Sequence, residues 1–224
     1  MTQTIIHVLR HGEVENPEGI LYGRLKGYSL STLGKKMAQM VADEFKKRPE
    51  IQISRIIASP LLRTQQTAKP ISKAYNVPIE TDIRLIEAGN HFEGIAVNKN
   101  PKLLASPKYW KYFHNPIRPS WGEPYIDIAD RMLKVVKETQ KNNAGQEILL
   151  VSHQLPIWCL RKYLEKKPLA HLPWQRECSL ASVTTLIFEN NTLVGIKYWE
   201  PAAVLLNEAK DVTPGTSSAM TNRG

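Results

Sequence analysis

The sequence predicts an α/β fold, a three-layer sandwich in which a mostly parallel central sheet carries helices on both faces. Short apolar runs typical of buried strands alternate along the chain with longer segments whose apolar residues recur at helical spacing. The chain has 224 residues, of which 42% are hydrophobic, and this is enough to bury one substantial core. We therefore expect a single domain over residues 1–206.

The first predicted strand and helix lie near the N-terminus. TIIHVL, residues 4–9, is an apolar run that indicates a buried strand. Ser31 is a good N-cap residue, and Leu33, Met37 and Met40 begin an apolar series at i, i+4, i+7, i+8 and i+12 after it. The segment after Ser31 is therefore predicted to be a helix that packs one face on the sheet.

A second strand and helix are predicted next. RIIAS, residues 55–59, has the composition of a buried strand. Ser59 and Pro60 are typical of an N-cap and a first helical turn, so a helix with Arg63 in its opening turns is predicted to begin there. Pro70 lacks a backbone N–H, and we expect the helix to bend or stop near it.

The second half of the chain continues the alternation. Apolar segments predict strands at 77–82, 147–152 and 182–200, with another helix between the last two. Asn190 and Asn191 are a turn signal within the last segment, which is therefore predicted to be a hairpin. Residues 126–140 carry one apolar stripe and predict a helix. Residues 207–224 lack apolar periodicity and predict a disordered tail.

Composition narrows the classes of function. Thirty Lys and Arg against 21 Asp and Glu give a net charge of +9, which suits anionic small substrates, nucleic acid or an anionic surface. No apolar run has the length of a membrane span and the N-terminus lacks a secretory signal, so we expect a cytoplasmic protein. Cys159 and Cys178 are too few for a disulfide framework and are expected to be buried thiols.

Four basic side chains follow predicted strands of the same sheet. Arg10 and His11 come directly after the first strand, Arg63 lies in the helix after the second, and His153 follows the strand at 147–152. Because right-handed crossovers bring the carboxyl ends of parallel strands to one edge, we expect these side chains to converge. His7, inside the first strand, is expected to be structural.

Such a cluster of cations predicts an anion site, and phosphate fits it well. Guanidinium groups bind phosphate oxygens in a bidentate manner, at about 1.5 to 3 kcal/mol per charged hydrogen bond. We expect Gly12 to let the backbone approach the ligand, and the N-terminus of the helix at Ser59 to add a favourable dipole. The sequence therefore predicts a site for a phosphoryl group.

Four motifs then carry a family resemblance: RHGE at 10–13, SPLLRTQQTA at 59–68, LIEAGNHFEG at 85–94 and VSH at 151–153. Their order and their places after strands resemble the histidine phosphatase superfamily, in the branch similar to cofactor-dependent phosphoglycerate mutases. The resemblance covers roughly residues 1–200. It implies a phosphoglycerate mutase-like fold and a histidine phosphatase domain.

The resemblance also implies roles for the converging residues. It makes His11 the nucleophile that becomes phosphohistidine, Arg10, Arg63 and His153 the phosphate clamp, and Glu87 the proton donor to the leaving oxygen. It implies no metal and no other cofactor. For this chemistry His11 must be unprotonated, and we expect His153 to act as an imidazolium. We expect Glu87 to be protonated mainly when a phosphate lies beside it.

Three positions depart from the family pattern. Val14 replaces the usual Ser or Thr, the phosphate-binding Asn is displaced to Asn16, and Gln154 replaces the usual Gly after His153. We still expect Asn16 and Gln154 to contact the phosphate. Glu13 and Glu93 are expected to support their loops through hydrogen bonds rather than react.

Residues 101–125 form an insertion that mixes aromatic and basic side chains. These ingredients suit a lid over a phosphate ester, a surface that stacks nucleic-acid bases, or a simple packed subdomain. Beside a phosphoryl site the lid is favoured over nucleic-acid binding.

The sequence favours a metal-independent phosphatase of a small phosphate monoester. The alternatives are a phosphoglycerate-type mutase and a catalytically weak phospho-ligand binder. The stretch at 85–94 lacks the ERHYG-like sequence of glycolytic mutases, which favours hydrolysis. As partners we expect a small phosphorylated metabolite and neither nucleic acid nor membrane; a homodimer is compatible with the sequence.

Overall fold

The computed structural model describes residues 2–97, 99–115 and 119–210. Its six strands are β1 (Gln3–Arg10), β2 (Ile53–Ala58), β3 (Ile79–Thr81), β4 (Glu147–Ser152), β5 (Val183–Glu189) and β6 (Thr192–Trp199). They form one sheet in the order β3-β2-β4-β1-β5-β6. Strands β3, β2, β4 and β1 are parallel, whereas β5 and β6 add as an antiparallel hairpin. The predicted mostly parallel sheet is confirmed.

Helices cover both faces of this sheet. They are α1 (Thr32–Lys46), α2 (Leu62–Tyr75), α3 (Pro107–Trp110), α4 (Tyr125–Asn142) and α5 (Gln154–Leu164). Four 3-10 turns lie at Ile83–Leu85, Pro101–Ala105, Pro173–Gln175 and Ala203–Glu208. The predicted α/β three-layer sandwich is therefore the observed fold.

Alternation along the central strands builds two cores. Leu149 points to the face covered by α1 and α2, where it belongs to one cluster with Phe45 and Ile71. Leu150 points to the opposite face and joins Met132 and Leu160 of α4 and α5. Successive side chains of a strand face opposite ways, so an uninterrupted apolar run such as EILLVS is what a strand covered on both faces requires.

Two details of helix α2 differ from the sequence prediction. The helix begins at Leu62 with Leu61 as its N-cap, so Ser59 is not the cap. Pro70 lies inside the helix, which continues to Tyr75 and ends at Asn76 in the left-handed conformation, with φ 54°. An interior proline costs about 3 kcal/mol, and burial of the apolar face of α2 against the sheet offsets that cost.

The structure describes the first four residues of the predicted disordered tail. Residues 207 and 208 belong to the 3-10 turn Ala203–Glu208, and Leu206 is buried in the core. The backbone N–H of Lys210 donates to Glu13 Oε1 at 2.6 Å. The prediction of disorder is therefore wrong for 207–210, and the rest of it, 211–224, lies outside the described residues.

We expect the fold to lose stability as the pH falls, because His7 is buried in its neutral form. Its Nδ1 lies 2.9 Å from Thr185 Oγ1, and burial lowers the pKa of His7 from 6.5 to about 4. The unfolded chain takes up this proton first, so the contribution is complete above about pH 6.5 and is lost as the pH falls towards 4. At about 1.36 kcal/mol per pKa unit, the contribution is on the order of 3 kcal/mol.

Urea unfolding at pH 7 and pH 4.5 measures this effect. The substitution His7→Gln should flatten the dependence of the unfolding free energy on pH, because glutamine does not titrate. His114→Ala removes an exposed histidine and should leave that dependence as in the wild type. An unchanged slope in His7→Gln would show that other groups cause the acid sensitivity.

Candidate active site

The ends of three parallel strands meet at one edge of the sheet. Arg10, the last residue of β1, is paired in register with Ser152, the last residue of β4. The backbone N–H of His11 donates to Ser152 O at 3.2 Å, and that of Ser59, just after β2, donates to Val151 O at 3.0 Å. The predicted convergence at the carboxyl ends of the strands is confirmed.

His11 is held in one tautomer. Its Nδ1 lies 2.8 Å from the carbonyl oxygen of Gly12, and because a carbonyl only accepts, Nδ1 carries the proton. The lone pair is therefore on Nε2. Burial, and then the positive charges of Arg63 and Arg10, lower the pKa of His11 well below its usual value. The imidazole is neutral near pH 7, as the sequence prediction required.

His153 lies beside His11, and its surroundings lower the pKa of its imidazole. The ring centroids lie 5.1 Å apart in an edge-on arrangement. Burial, Arg63 and His11 lower the pKa of His153 well below 6.5. Burial beside like charges disfavours protonation in the site without an anion, whereas the predicted imidazolium concerns the complex with a phosphoryl group and stays a prediction.

The hydroxyl of Ser59 contacts His153, which explains the orientation of that imidazole and why Ser59 does not cap helix α2. Ser59 Oγ lies 2.9 Å from His153 Nε2, so it orients the imidazole rather than capping α2. His153 Nδ1 is buried and has no hydrogen-bond partner among the described residues. A buried imidazole nitrogen in this position is available to a ligand oxygen.

Both arginines are almost completely buried. Arg10 and Arg63 are each 1% exposed. Arg10 Nη1 donates to the carbonyl of Cys178 at 2.6 Å, and Arg63 Nη2 donates to the carbonyl of Gly23 at 2.6 Å. The guanidinium of Arg63 also lies 4.7 Å from the centre of the Tyr22 ring. Burial lowers the pKa of Arg63, which is the cost of holding a cation ready for an anion.

Glu87 follows the 3-10 turn Ile83–Leu85, which two contacts hold in place. Ser152 Oγ donates to the carbonyl of Leu85 at 2.7 Å, and Arg24 Nε donates to the backbone carbonyl of Glu87 at 2.7 Å. Glu87 Oε1 accepts the N–H of Ala88 at 2.7 Å. Burial raises the pKa of Glu87, although this hydrogen bond and Arg63 oppose the shift. The direction favours a carboxyl that can hold a proton.

These residues surround a cavity with about 730 Å³ of empty space, part of it open to solvent. Arg10, His11, Glu87 and Gln154 line it. Arg63 and His153 adjoin His11 without lining the cavity in this conformation. The structure thus brings together all five residues that the sequence placed at the catalytic centre.

Of the two other residues predicted to contact the phosphate, Gln154 lines the cavity and Asn16 does not. Gln154 is 2% exposed and lines the cavity, and its Nε2 has no hydrogen-bond partner among the described residues. Asn16 does not line the cavity: its Nδ2 donates to Ile20 O at 2.8 Å and its Oδ1 accepts from Ile20 N at 3.1 Å. Both polar atoms of the Asn16 amide close its own loop, so its predicted contact with phosphate is not supported.

Gly12 is required for the packing of its loop on helix α1. A Cβ at Gly12 would lie 2.6 Å from the carbonyl oxygen of Gly34 in α1. Ser31 Oγ caps α1 and also donates to Glu13 Oε2 at 2.5 Å. The predicted supporting role of Glu13 is confirmed, and the approach of Gly12 to a ligand stays a prediction.

The insertion at 101–125 packs on the loop that precedes it. Phe92 stands at its centre, with ring centroids of Tyr109, Tyr112 and Phe113 at 5.3 to 5.8 Å. Trp121 lines the cavity next to Gly122. The insertion is therefore a packed subdomain that supplies one wall of the site; residues 116–118 lie outside the described part.

The loop hydrogen bonds around Glu93 are also as predicted. Its Oε1 accepts the backbone N–H groups of Arg24 at 3.0 Å and Asn90 at 3.3 Å. Sequence reasoning missed two other residues. Arg176 lines the cavity, and Glu123 forms ion pairs with Arg24 and Arg131 at 2.7 and 2.8 Å. Neither Arg176 nor Glu123 lies in a motif or directly after a strand, so no sequence signal indicated them.

The fold and the site define a class of α/β protein in which a sheet edge with buried arginines and histidines opens into a ligand cavity. Within the described ranges, no group of three potential metal-binding side chains is close enough to hold an ion. No helix in those ranges is both long and apolar enough to cross a membrane.

Comparisons with known proteins identify the family. The profile of the histidine phosphatase superfamily (branch 1) matches residues 6–200. The uncharacterized protein Rv0525 of Mycobacterium tuberculosis is 49% identical over 202 residues, which cover 90% of this chain and 98% of the relative. The probable phosphoglycerate mutase GpmB of Yersinia pestis is 32% identical over 192 residues, which cover 80% of this chain and 83% of the relative. The chain belongs to the histidine phosphatase superfamily.

Solved structures agree on the fold. A mycobacterial glucosyl-3-phosphoglycerate phosphatase has a TM-score of 0.71 and 24% identity, covering 88% of this chain and 99% of that one. A phosphoserine phosphatase of Entamoeba histolytica, in complex with 3-phosphoglyceric acid, has a TM-score of 0.67 and 20% identity over 88% of this chain and 98% of that one. The phosphoglycerate mutase-like fold is confirmed, and the protein is an enzyme of the phosphatase and mutase type.

Proposed function

We propose that the protein is a metal-independent phosphatase that hydrolyses a small-molecule phosphate monoester through a phosphohistidine on His11. In this proposal Arg10, Arg63 and His153 bind the phosphoryl group, and Glu87 gives and then takes the proton. The observation that carries it is the tautomer of His11. A buried neutral imidazole with its proton fixed on Nδ1 presents a nucleophilic Nε2. Arg10 and Arg63 lie close enough to His11 to affect its charge, and we propose that they bind the phosphoryl oxygens.

The first half-reaction transfers the phosphoryl group to the enzyme. His11 Nε2 attacks phosphorus, the bond from phosphorus to the ester oxygen breaks, and the proton of Glu87 passes to that oxygen. In the second half-reaction water attacks phosphorus and gives its proton to Glu87, and the P–N bond breaks to release inorganic phosphate. Glu87 ends protonated, so the cycle closes.

His153 is proposed to acquire its charge only with substrate. A phosphoryl dianion beside the ring favours protonation and opposes the effects of burial and the arginines. A protonated His153 would then donate to a phosphoryl oxygen as negative charge develops there. This arrangement leaves the buried imidazole of His153 uncharged in the unliganded site and charged in the complex.

The proposed partner is a small phosphorylated metabolite rather than nucleic acid or a membrane. The cavity is lined by Arg10, His11, Glu87 and Arg176, and a few convergent polar groups of this kind are typical of a small-molecule site. The packed aromatic insertion supports the same reading, since Trp121 closes the cavity wall. A homodimer remains a proposal that light scattering would test.

The second candidate function is a mutase, which the relative described as a probable phosphoglycerate mutase favours. The two reactions share the phosphohistidine and differ in what accepts the phosphoryl group. Water accepts it in a phosphatase, whereas a hydroxyl of the substrate accepts it in a mutase. The third, a weak phospho-ligand binder, would form no phosphohistidine.

The test is a panel of phosphate monoesters assayed for released inorganic phosphate in the presence of EDTA. We expect turnover without added metal, together with a phosphoenzyme that is acid-labile and alkali-stable after rapid quenching. Turnover that requires a divalent metal would overturn the proposal. Interconversion of phosphoglycerates without phosphate release would favour the mutase, and binding without a phosphoenzyme would favour the binder.

A further inference from the structure

Arg176 is a cation at the cavity that the proposed chemistry does not use. It follows the 3-10 turn Pro173–Gln175 and lines the same cavity as His11 and Glu87. The clamp of Arg10 and Arg63 already serves the phosphoryl group. Arg176 is partly exposed, yet its surroundings withdraw the guanidinium from water and lower its pKa, so a partner of opposite charge would stabilise it.

The partners that hold Arg176 are all neutral. Its Nε donates to His171 Nε2 at 2.9 Å, and its Nη1 donates to Gln154 Oε1 at 3.4 Å. The Tyr125 hydroxyl is a further hydrogen-bonding neighbour. No carboxylate in the described part of the chain is within ion-pair distance of this guanidinium. The structure therefore fixes the orientation of Arg176 without neutralising it.

The tautomer of His171 allows this ring to accept the hydrogen bond from Arg176. His171 Nδ1 lies 2.6 Å from the carbonyl of Leu169, so Nδ1 carries the proton and Nε2 is left to accept from Arg176. Burial lowers the pKa of His171 to about 4, so the ring is neutral near pH 7. An imidazolium there would repel Arg176 and could not accept its hydrogen bond.

Other acids near the cavity are already engaged. Glu123 is shared by Arg24 and Arg131, which neutralise it. Glu87 interacts with Arg176 only through space, and the raised pKa of Glu87 favours its uncharged form. Arg176 therefore keeps its positive charge at this end of the cavity, where an anionic group of the ligand would balance it.

The side-chain amide of Gln154 is a second observation, besides the charge of Arg176, that points to a ligand. Its Oε1 is turned to Arg176, while its Nε2 is buried at the cavity with no hydrogen-bond partner among the described residues. A buried amide donor without a partner is costly, and it lies next to the unneutralised guanidinium. Together they offer N–H donors to two oxygens, which suits a planar carboxylate.

We propose that Arg176 and Gln154 form a subsite for a carboxylate on the substrate, so that the substrates are phosphate monoesters that also carry a carboxylate. This rests on the proposed function, because the ester must lie with its phosphoryl group at His11. Arg176 is then a specificity residue, and it selects acidic phosphate esters over neutral ones of the same size.

The test compares 3-phosphoglycerate with glycerol 3-phosphate, which has a hydroxymethyl group in place of the carboxylate. p-Nitrophenyl phosphate serves as a reference without a carboxylate. We expect wild-type kcat/KM to favour 3-phosphoglycerate by about 10-fold or more. Arg176→Gln should lower kcat/KM for that ester by roughly 10- to 150-fold, the range for a hydrogen bond to a charged group, mainly through KM. It should change the other two esters by less than about threefold.

Arg161→Gln is the matched control, because Arg161 pairs with Glu165 and Glu177 and does not line the cavity. It should leave the preference unchanged, and Arg176→Lys should restore part of it. An equal loss for all three esters in Arg176→Gln, or no preference in the wild type, would overturn the subsite.

A binding measurement separates the subsite from the reaction. Calorimetric titration of the His11→Ala variant with 3-phosphoglycerate and with glycerol 3-phosphate reports the contribution of the carboxylate to binding, even if neither compound is turned over. Tighter binding of 3-phosphoglycerate that Arg176→Gln abolishes supports the subsite, and equal binding of the two esters overturns it. If the wild-type protein did not hydrolyse p-nitrophenyl phosphate, this would instead count against the proposed phosphatase function.

Discussion

Replacing His11 with alanine is expected to lower kcat for every phosphate monoester by about 10⁴-fold or more, because no other group can form the covalent intermediate. Among the described residues, the substitution removes the only ring nitrogen at the cavity whose lone pair is left free by a tautomer that the Gly12 carbonyl fixes. We do not expect His153 to replace it, since its Nε2 lies 2.9 Å from the Ser59 hydroxyl and its proposed role is to bind the phosphoryl group. The measurement is steady-state phosphate release together with trapping of the phosphoenzyme.

The variant His11→Asn separates loss of the nucleophile from loss of structure. Its amide N–H can still donate near the Gly12 carbonyl, but it has no nitrogen lone pair to attack phosphorus. We expect it to be as inactive as His11→Ala and to keep a wild-type melting temperature within a few degrees. His114→Ala, at an exposed histidine, should retain full activity. A His11→Asn protein that still forms a phosphoenzyme would overturn the assignment.

Four of the five predicted site residues lie at a strand end or in the helix directly after one, whereas only the family resemblance indicated Glu87. Arg10, His11 and His153 immediately follow β1 and β4, and the parallel sheet fixes where such residues must meet. Arg63 is one turn into the helix after β2. A rule about topology therefore places four side chains without knowledge of any contact.

Competition for hydrogen bonds explains what the sequence could not predict. Ser59 has the composition of an N-cap, yet its hydroxyl is taken by His153, a residue 94 positions away. Asn16 is polar and near the clamp, yet the closure of its own loop uses both ends of its amide. Local propensity ranks such side chains correctly as hydrogen-bonding groups but does not choose between partners.

The role proposed for Arg176 likewise could not be predicted from the sequence. It lies in a connection between helix and strand where no periodicity or motif indicates a site. What makes it notable is the chemistry of its neighbours, a neutral imidazole and an amide in place of a carboxylate. That relation depends on tertiary structure alone, because the charge of a residue in sequence does not reveal whether folding neutralises it.

The second large effect is expected for Glu87→Gln, and it should depend on the leaving group. An alkyl alkoxide is strongly basic and must receive a proton as the P–O bond breaks, whereas p-nitrophenolate leaves without one. General acid catalysis contributes about 10²- to 10⁴-fold, so we expect a loss in that range for an alkyl phosphate such as glycerol 3-phosphate. The first half-reaction with p-nitrophenyl phosphate, read as the burst of p-nitrophenol, should change by less than about tenfold.

The pH dependence of the same variant tests the protonation state. Burial raises the pKa of Glu87, so in the wild type the acid form needed for the first half-reaction persists to higher pH and is lost as the pH rises through that pKa. With alkyl esters the wild-type kcat/KM should therefore fall on the alkaline side. Glutamine cannot deprotonate, and the fall should be absent from the residual activity of Glu87→Gln.

Glu93→Gln is the matched control in the same loop. Glu93 accepts two backbone N–H groups, and glutamine keeps one acceptor oxygen for them. A structural role predicts a lower melting temperature and an equal effect on alkyl and aryl esters. If Glu87→Gln also slowed both classes equally, Glu87 would support the loop rather than move the proton. If Glu93→Gln alone showed the dependence on the leaving group, the proton donor would be Glu93.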